Sequence, residues 1–231
     1  MNIKGEIIAY HGWGFDKNCW NNWQEILSNN YTFKVFDRGY FGDEILQRFD
    51  NNQSNKIIFA HSYGLHLCPQ EQLKTTDLLI LFSSFDYFHP YPEKQKKRSK
   101  YALELMINEF TKNPQKVLEA FQKKCYYPLS YIPNNHSIIH WDKLSQDLVS
   151  LDSSQINREI LKNVPEIYII QGTKDRILSP FHAQKFAKKL TKNSQYYEIE
   201  GVGHTLPFTD MKYCLPIINQ ALGETENHGN T

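Results

Sequence analysis

A serine flanked two positions away on each side by small residues can stand in the open at a strained strand-to-helix turn, and Ala60-His61-Ser62-Tyr63-Gly64 has that form. Small neighbours let the two backbones approach, and the helix N-terminus beside the hydroxyl favours a developing anion. Ser62 therefore reads as a nucleophile, with a structural turn serine as the rival. A hydroxyl attacks only when a base takes its proton. Of nine histidines, His204 stands out, because Gly201-Val202-Gly203-His204-Thr205 is a flexible loop after a strand-like run. His11 and His61 sit inside tight turns, where structural hydrogen bonds are expected. His66, one turn beyond Ser62, is expected to pack or to line a pocket. An imidazole base needs a carboxylate to fix its tautomer. Asp175 follows the strand-like Glu166–Ile170 through Gln171-Gly172-Thr173-Lys174, with a structural N-cap or Asx-turn aspartate as the rival reading. After the first apolar run, His11-Gly12-Trp13-Gly14 supplies glycines that let amides turn toward the serine. The N–H groups of Trp13 and Tyr63 form a candidate oxyanion hole, where one lost donor costs about 10²–10³ in rate.

Each of these residues follows an apolar run, so the runs must bring them together. Glu6–Tyr10, Thr32–Phe36, Lys56–Ala60, Asp77–Phe82, Glu166–Ile170 and Gln195–Ile199 read as strands. Asp77–Phe82 has the unbroken hydrophobicity of a strand covered on both faces. Helical spacing spans Cys19–Leu27, a short helix is predicted over Asp43–Phe49, and another follows Ser62. Ser179-Pro180 caps a helix running to about Leu190. Strands alternating with helices imply a parallel sheet. The rhythm breaks over 84–163, read as a mainly helical insertion. It holds a charged run from Glu93 to Lys100 and helical patterns at Lys100–Phe110 and Pro114–Cys125, the latter capped by Asn113. The expected organisation is a core of 1–83 and 164–222, the insertion, and a frayed polar tail at 223–231.

The 231 residues carry 26 basic and 25 acidic side chains, a net charge of +1, which argues against a general nucleic-acid binder. No apolar run approaches a membrane span, and Met1-Asn2-Ile3-Lys4 lacks the form of a signal peptide. Cys19, Cys68, Cys125 and Cys214 are scattered without a CxxC pair, so packing roles in a reducing cytoplasm are expected. No dinucleotide, P-loop or HExxH motif is present, and no cofactor or metal is expected.

The order Ser62, Asp175, His204 is the nucleophile, acid, histidine order of the α/β-hydrolases, and the chain resembles that superfamily over nearly its whole length. Within it, His11-Gly12-Trp13-Gly14-Phe15-Asp16 with Trp20 resembles BioH-type pimeloyl-ACP methyl ester esterases. Ala60 stands where that pattern has glycine, Leu65 stands where a second glycine is common, and the core is shortened, without room for the usual first hairpin. The resemblance implies an α/β-hydrolase fold: a mostly parallel sheet, helices on both faces and a helical lid. It implies Ser62, Asp175 and His204 as triad, the Trp13 and Tyr63 amides as oxyanion hole, and an ester substrate. A general carboxylesterase or thioesterase, a triad-bearing lyase, and a receptor that lost turnover remain alternatives.

From Glu93 to Lys124 there are nine basic and four acidic residues. Lys112, Lys116 and Lys123 fall by spacing on one helical face. Such a lid suits an acidic acyl carrier protein as docking partner. With 21 lysines against 5 arginines, the excess equally fits a solvated face in a lysine-rich chain. No nucleic-acid or membrane partner is expected, and a monomer is.

Overall fold

Unbroken apolar strands must be covered on both faces. The computed structural model, which describes residues 3–52, 54–133, 136–190 and 193–224, covers them in that way. β1 (Gly5–Tyr10), β2 (Tyr31–Val35), β3 (Asn55–His61), β4 (Leu78–Phe82), β5 (Glu166–Gly172) and β6 (Ser194–Ile199) form one sheet in the order β2-β1-β3-β4-β5-β6. Every neighbouring pair is parallel. Alternate residues point to opposite faces. Ile7, Ile57, Phe59, Ile80 and Ile170 join Trp20, Trp23 and Ile218 on one face. Ile8, Ile58, Leu79, Leu81 and Ile169 join Leu65, Leu73, Leu161 and Phe186 on the other.

The first face is covered by α1 (Asn21–Leu27), which follows a 3-10 turn at Lys17–Trp20. The second is covered by α2 (Gly64–Leu67) and α3 (Gln70–Lys74). The helix after Ser62 is thus shorter than its pattern suggests. Pro69 carries no amide hydrogen and pushes Cys68 into extended backbone (ψ 126°), which splits the run in two.

Residues 84–163, expected as an insertion, form α4 (Glu93–Phe110), α5 (Pro114–Tyr126), α6 (Trp141–Ser150) and α7 (Arg158–Lys162), the last packing Ile160 and Leu161 on the second face of the sheet. α8 (Pro180–Ala187), α9 (Leu206–Thr209) and α10 (Met211–Ala221) complete the chain. Ser179 caps α8, its hydroxyl accepting the His182 amide. Trp13, Phe110, Leu118, Leu144 and Leu148 belong to a third apolar cluster, which joins α4, α5 and α6 to the loop after β1. Among the described residues no helix is long and apolar enough to cross a membrane.

Several expectations are corrected. Asp43–Phe49 is not helical: Asp37 and Ile45 exchange backbone hydrogen bonds of 3.0 and 2.8 Å, and Leu46 is 71% exposed. The segment lacks the buried stripe a surface helix needs. The charged run from Glu93 is the first half of α4, its side chains mostly facing solvent while Ser99 meets His89 and Lys100 meets Asp152. Lys112 lies in the turn between α4 and α5, not on the α5 face, because Pro114 starts a new helix. Asn113 occupies the cap position of α5, but its amide reaches back to Glu109. Of the expected frayed tail, Glu224 is tied down by Lys4 and Asn30, while 225–231 lie outside the described residues.

Candidate active site

The chain leaves β1 for β2 on one side and later returns to β3 on the other, so a crevice opens beyond the carboxyl ends of β1 and β3. Pairing of Tyr10 with Ala60 sends His11–Gly14 and Ser62 out of the sheet side by side. A Cβ on Gly12 would lie 2.9 Å from the Ser62 Cβ, which measures how closely that loop packs on the serine. Ser62 has φ 53°, left-handed for a non-glycine residue, a conformation that costs on the order of 1–3 kcal/mol and persists only when its surroundings enforce it. They do so here. The Ser62 amide donates to Phe82 O (2.9 Å), and Ser84 Oγ donates to Ser62 O (2.7 Å). Two residues on, a side chain at Gly64 would run into the Tyr10 carbonyl.

The ends of β5 and β6 bring up the other two groups, with Gly172 paired to Ile199. His204 is fully buried and its Nε2 lies 2.9 Å from Ser62 Oγ. Its Nδ1 lies 2.7 Å from Asp175 Oδ2. An ionised carboxylate only accepts, so the ring proton sits on Nδ1 and Nε2 accepts from the serine hydroxyl. Asp175 Oδ1 accepts the amides of Ile177 (2.7 Å) and Leu178 (2.8 Å), the turn that an N-cap reading also foresees. Gln171, which sequence reasoning missed, donates through Nε2 to Asp175 Oδ2 at 2.8 Å. A buried amide carries no motif, and only its place four residues before the aspartate could have pointed to it. The His204 loop is itself pinned, since a side chain at Gly203 would collide with the Tyr127 carbonyl.

The amides of Trp13 and Tyr63 donate to no backbone acceptor among the described residues. Trp13 Nε1 donates to Leu144 O on α6 (2.8 Å), and its ring meets Phe110 and Phe121 edge-on, so one residue links the loop to three helices of the insertion. His11 and His61 make structural hydrogen bonds. His11 Nε2 accepts the Arg38 amide (3.0 Å), and His61 Nε2 donates to His204 O (3.0 Å). His66 Nε2 donates to Phe85 O (3.0 Å), and burial pushes this imidazole down to about 4. Burial likewise pushes up all four thiols, Cys68 to about 12 and Cys19, Cys125 and Cys214 upward, so none is a ready nucleophile.

Between α4 and α5 runs an apolar slot of about 560 Å³ whose walls include Trp13, Phe88, Leu103, Met106, Phe121 and Ile177. Lys116, Lys124 and Arg176 also border it, against a single acidic residue, Glu109. Of the sequence-predicted docking residues, Lys116 and Lys123 are exposed on α5, two turns apart, and Lys112 is exposed in the preceding turn. A second element that sequence reasoning missed ties the insertion down. Buried Asp147 on α6 accepts from Arg38 Nε (2.8 Å) and Tyr40 OH (2.7 Å) on the loop after β2.

No protein-family model and no curated protein matches the chain. Solved structures do. An esterase from Exiguobacterium antarcticum superposes with a TM-score of 0.77 at 14% identity, over 97% of this chain and 94% of that one. MenH from S. aureus gives 0.70 at 16% identity, over 96% and 95%. A hydrolase from Oleispira antarctica gives 0.68 at 18% identity, over 96% and 92%. With its parallel sheet and flanking helices, the chain has the α/β-hydrolase fold.

Proposed function

We propose that this protein is a serine hydrolase that cleaves a carboxylic ester by acyl transfer. The observation that carries the reading is the unbroken hydrogen-bond chain from Ser62 Oγ through His204 to Asp175. The names of the solved relatives, esterases and hydrolases among them, support it. Ser62 Oγ attacks the ester carbonyl while His204 Nε2 takes the hydroxyl proton. Asp175 stabilises the imidazolium, and the Trp13 and Tyr63 amides receive the oxyanion of the tetrahedral intermediate. His204 then gives the proton to the leaving alcohol. Water, activated by the same nitrogen, hydrolyses the acyl-enzyme and frees Ser62. A fluorophosphonate probe is expected to label the wild type on Ser62 and to leave Ser62→Ala unlabelled. Equal labelling of the variant would place the nucleophile elsewhere.

At a finer level we propose a pimeloyl-ACP methyl ester as substrate, in the role of the BioH-type esterases. The His11–Gly14 motif, the apolar slot beside Trp13 and the basic α4–α5 surface support this reading. Mass-spectrometric detection of methanol release from that carrier-linked ester, against free methyl esters of equal chain length, tests it. Preference for the free esters would leave a general carboxylesterase.

A further inference from the structure

Among the described residues no lysine or arginine pairs with Asp175, and its orientation rests on neutral donors. Oδ1 is held by two backbone amides, which fix one end of the carboxylate. Oδ2, the atom that takes the His204 proton donor, has a second partner, Gln171 Nε2. Gln171 is fully buried at the end of β5. Its amide cannot be turned over. Nε2 faces three oxygens, Asp175 Oδ2 (2.8 Å), Leu178 O (3.1 Å) and Gly172 O (3.3 Å), while Oε1 has no hydrogen-bond partner among the described residues. The flipped amide would set an oxygen against all three acceptors. An unpartnered buried carbonyl is costly, and the side chain tolerates it in order to keep its donor on the carboxylate.

We propose that Gln171 is a positioning residue, which orients Asp175 and, through it, the His204 ring toward Ser62. Without that donor, Oδ2 is fixed only by the histidine it is meant to orient, and the carboxylate can swing about its Oδ1 anchor. The catalytic consequence rests on the serine-hydrolase reading; the hydrogen-bond consequence does not. The other titratable groups at the cluster are Cys125 on α5, whose thiol feels the Asp175 charge, and His61, bonded to the His204 carbonyl.

Two substitutions test this. Gln171→Met keeps length and bulk but donates nothing. Gln171→Glu keeps the shape and donates only while its carboxyl is protonated. Gln171→Met is expected to lower kcat about 10- to 100-fold, the size of one hydrogen bond to a charged group, with KM unchanged. It should also shift or broaden the deshielded His204 Nδ1–H proton resonance. Gln171→Glu is expected to approach wild-type kcat at low pH and to fall away from it as pH rises, its Nδ1–H resonance moving in parallel. Wild-type kcat and an unmoved resonance in Gln171→Met would overturn the proposal. So would a Gln171→Glu to wild-type ratio that is flat across pH, the signature of a packing role. If Gln171→Met fails to fold, the pH-dependent ratio of Gln171→Glu decides. Should the wild type neither hydrolyse esters nor take the fluorophosphonate, the hydrolase reading falls and the resonance alone decides the role of Gln171.

Discussion

At Asp175 the isosteric amide is a severe change. Oδ1 faces the amides of Ile177 and Leu178, so an asparagine must put its oxygen there. Its NH₂ then points at the Gln171 amide and at His204 Nδ1. The imidazole can only accept from it, which moves the ring proton to Nε2, where it can no longer receive a proton from Ser62. Asp175→Asn is therefore expected to lower kcat about 10⁴-fold through the wrong tautomer, with KM little changed. Saturation kinetics on a p-nitrophenyl ester measure it, and near-wild-type kcat would mean another carboxylate serves. At this scale the sequence is most legible where a residue type has few alternative uses. A serine between small residues, a loop histidine and an aspartate after a strand each carry a chemical signature. Gln171 carries none, because an amide becomes part of the site only through the backbone that aims it.

The elements decide where those residues meet. β5 and β6 end side by side, and the loop after β6 passes so close to Tyr127 that Gly203 has no room for a side chain. Gly203→Ala is expected to push the His204 loop off α5 and to lower kcat more than tenfold while KM holds, since a misplacement near 1 Å can cost about 10²-fold. α5 also bears the test of the carrier reading. Lys116→Glu with Lys123→Glu is expected to raise KM for the carrier-linked ester and to leave kcat/KM for a small free ester unchanged. The difference should shrink as salt shortens the Debye length from about 10 Å at 0.1 M to about 3 Å at 1 M. Equal responses of the two substrates would mark the lysines as a solvated face. Helices are legible from pattern where one face is buried, as in α5 with Val117, Leu118 and Cys125. Asp43–Phe49 misleads because its apolar residues meet helical spacing by chance, while Asp37 offers Ile45 a bridge that no local pattern records. Charged Glu93–Lys100 is silent for the opposite reason: a solvent-facing half-helix needs no apolar stripe.

Over the whole molecule, alternating apolar and helical segments made the parallel sheet and its two covered faces readable. The anchoring of the insertion was not, because the Asp147, Arg38 and Tyr40 link joins residues about a hundred positions apart. The same burial that hides such links sets the response of the fold to acid. His61, His66 and His182 are enclosed, and burial holds each below the ordinary imidazole range, His66 at about 4. For His66 the Phe85 carbonyl favours the charged ring but does not offset the desolvation. Unfolding exposes these rings, which then take up protons near pH 6.5. Below that pH the unfolded chain binds more protons than the native one, so stability must fall as pH falls. For His66 the window runs from about pH 6.5 down to about 4, and across it one imidazole contributes a slope of about 1.4 kcal/mol per pH unit. His66→Gln keeps a side chain that can donate to Phe85 O but does not titrate. It is expected to be less stable than the wild type at pH 7.5, by an amount that shrinks steadily between pH 6.5 and 4. Urea unfolding at half-unit pH intervals measures both curves. A constant gap between them across that range would mean that His66 is protonated in the native state, and that the acid sensitivity of the fold has another source.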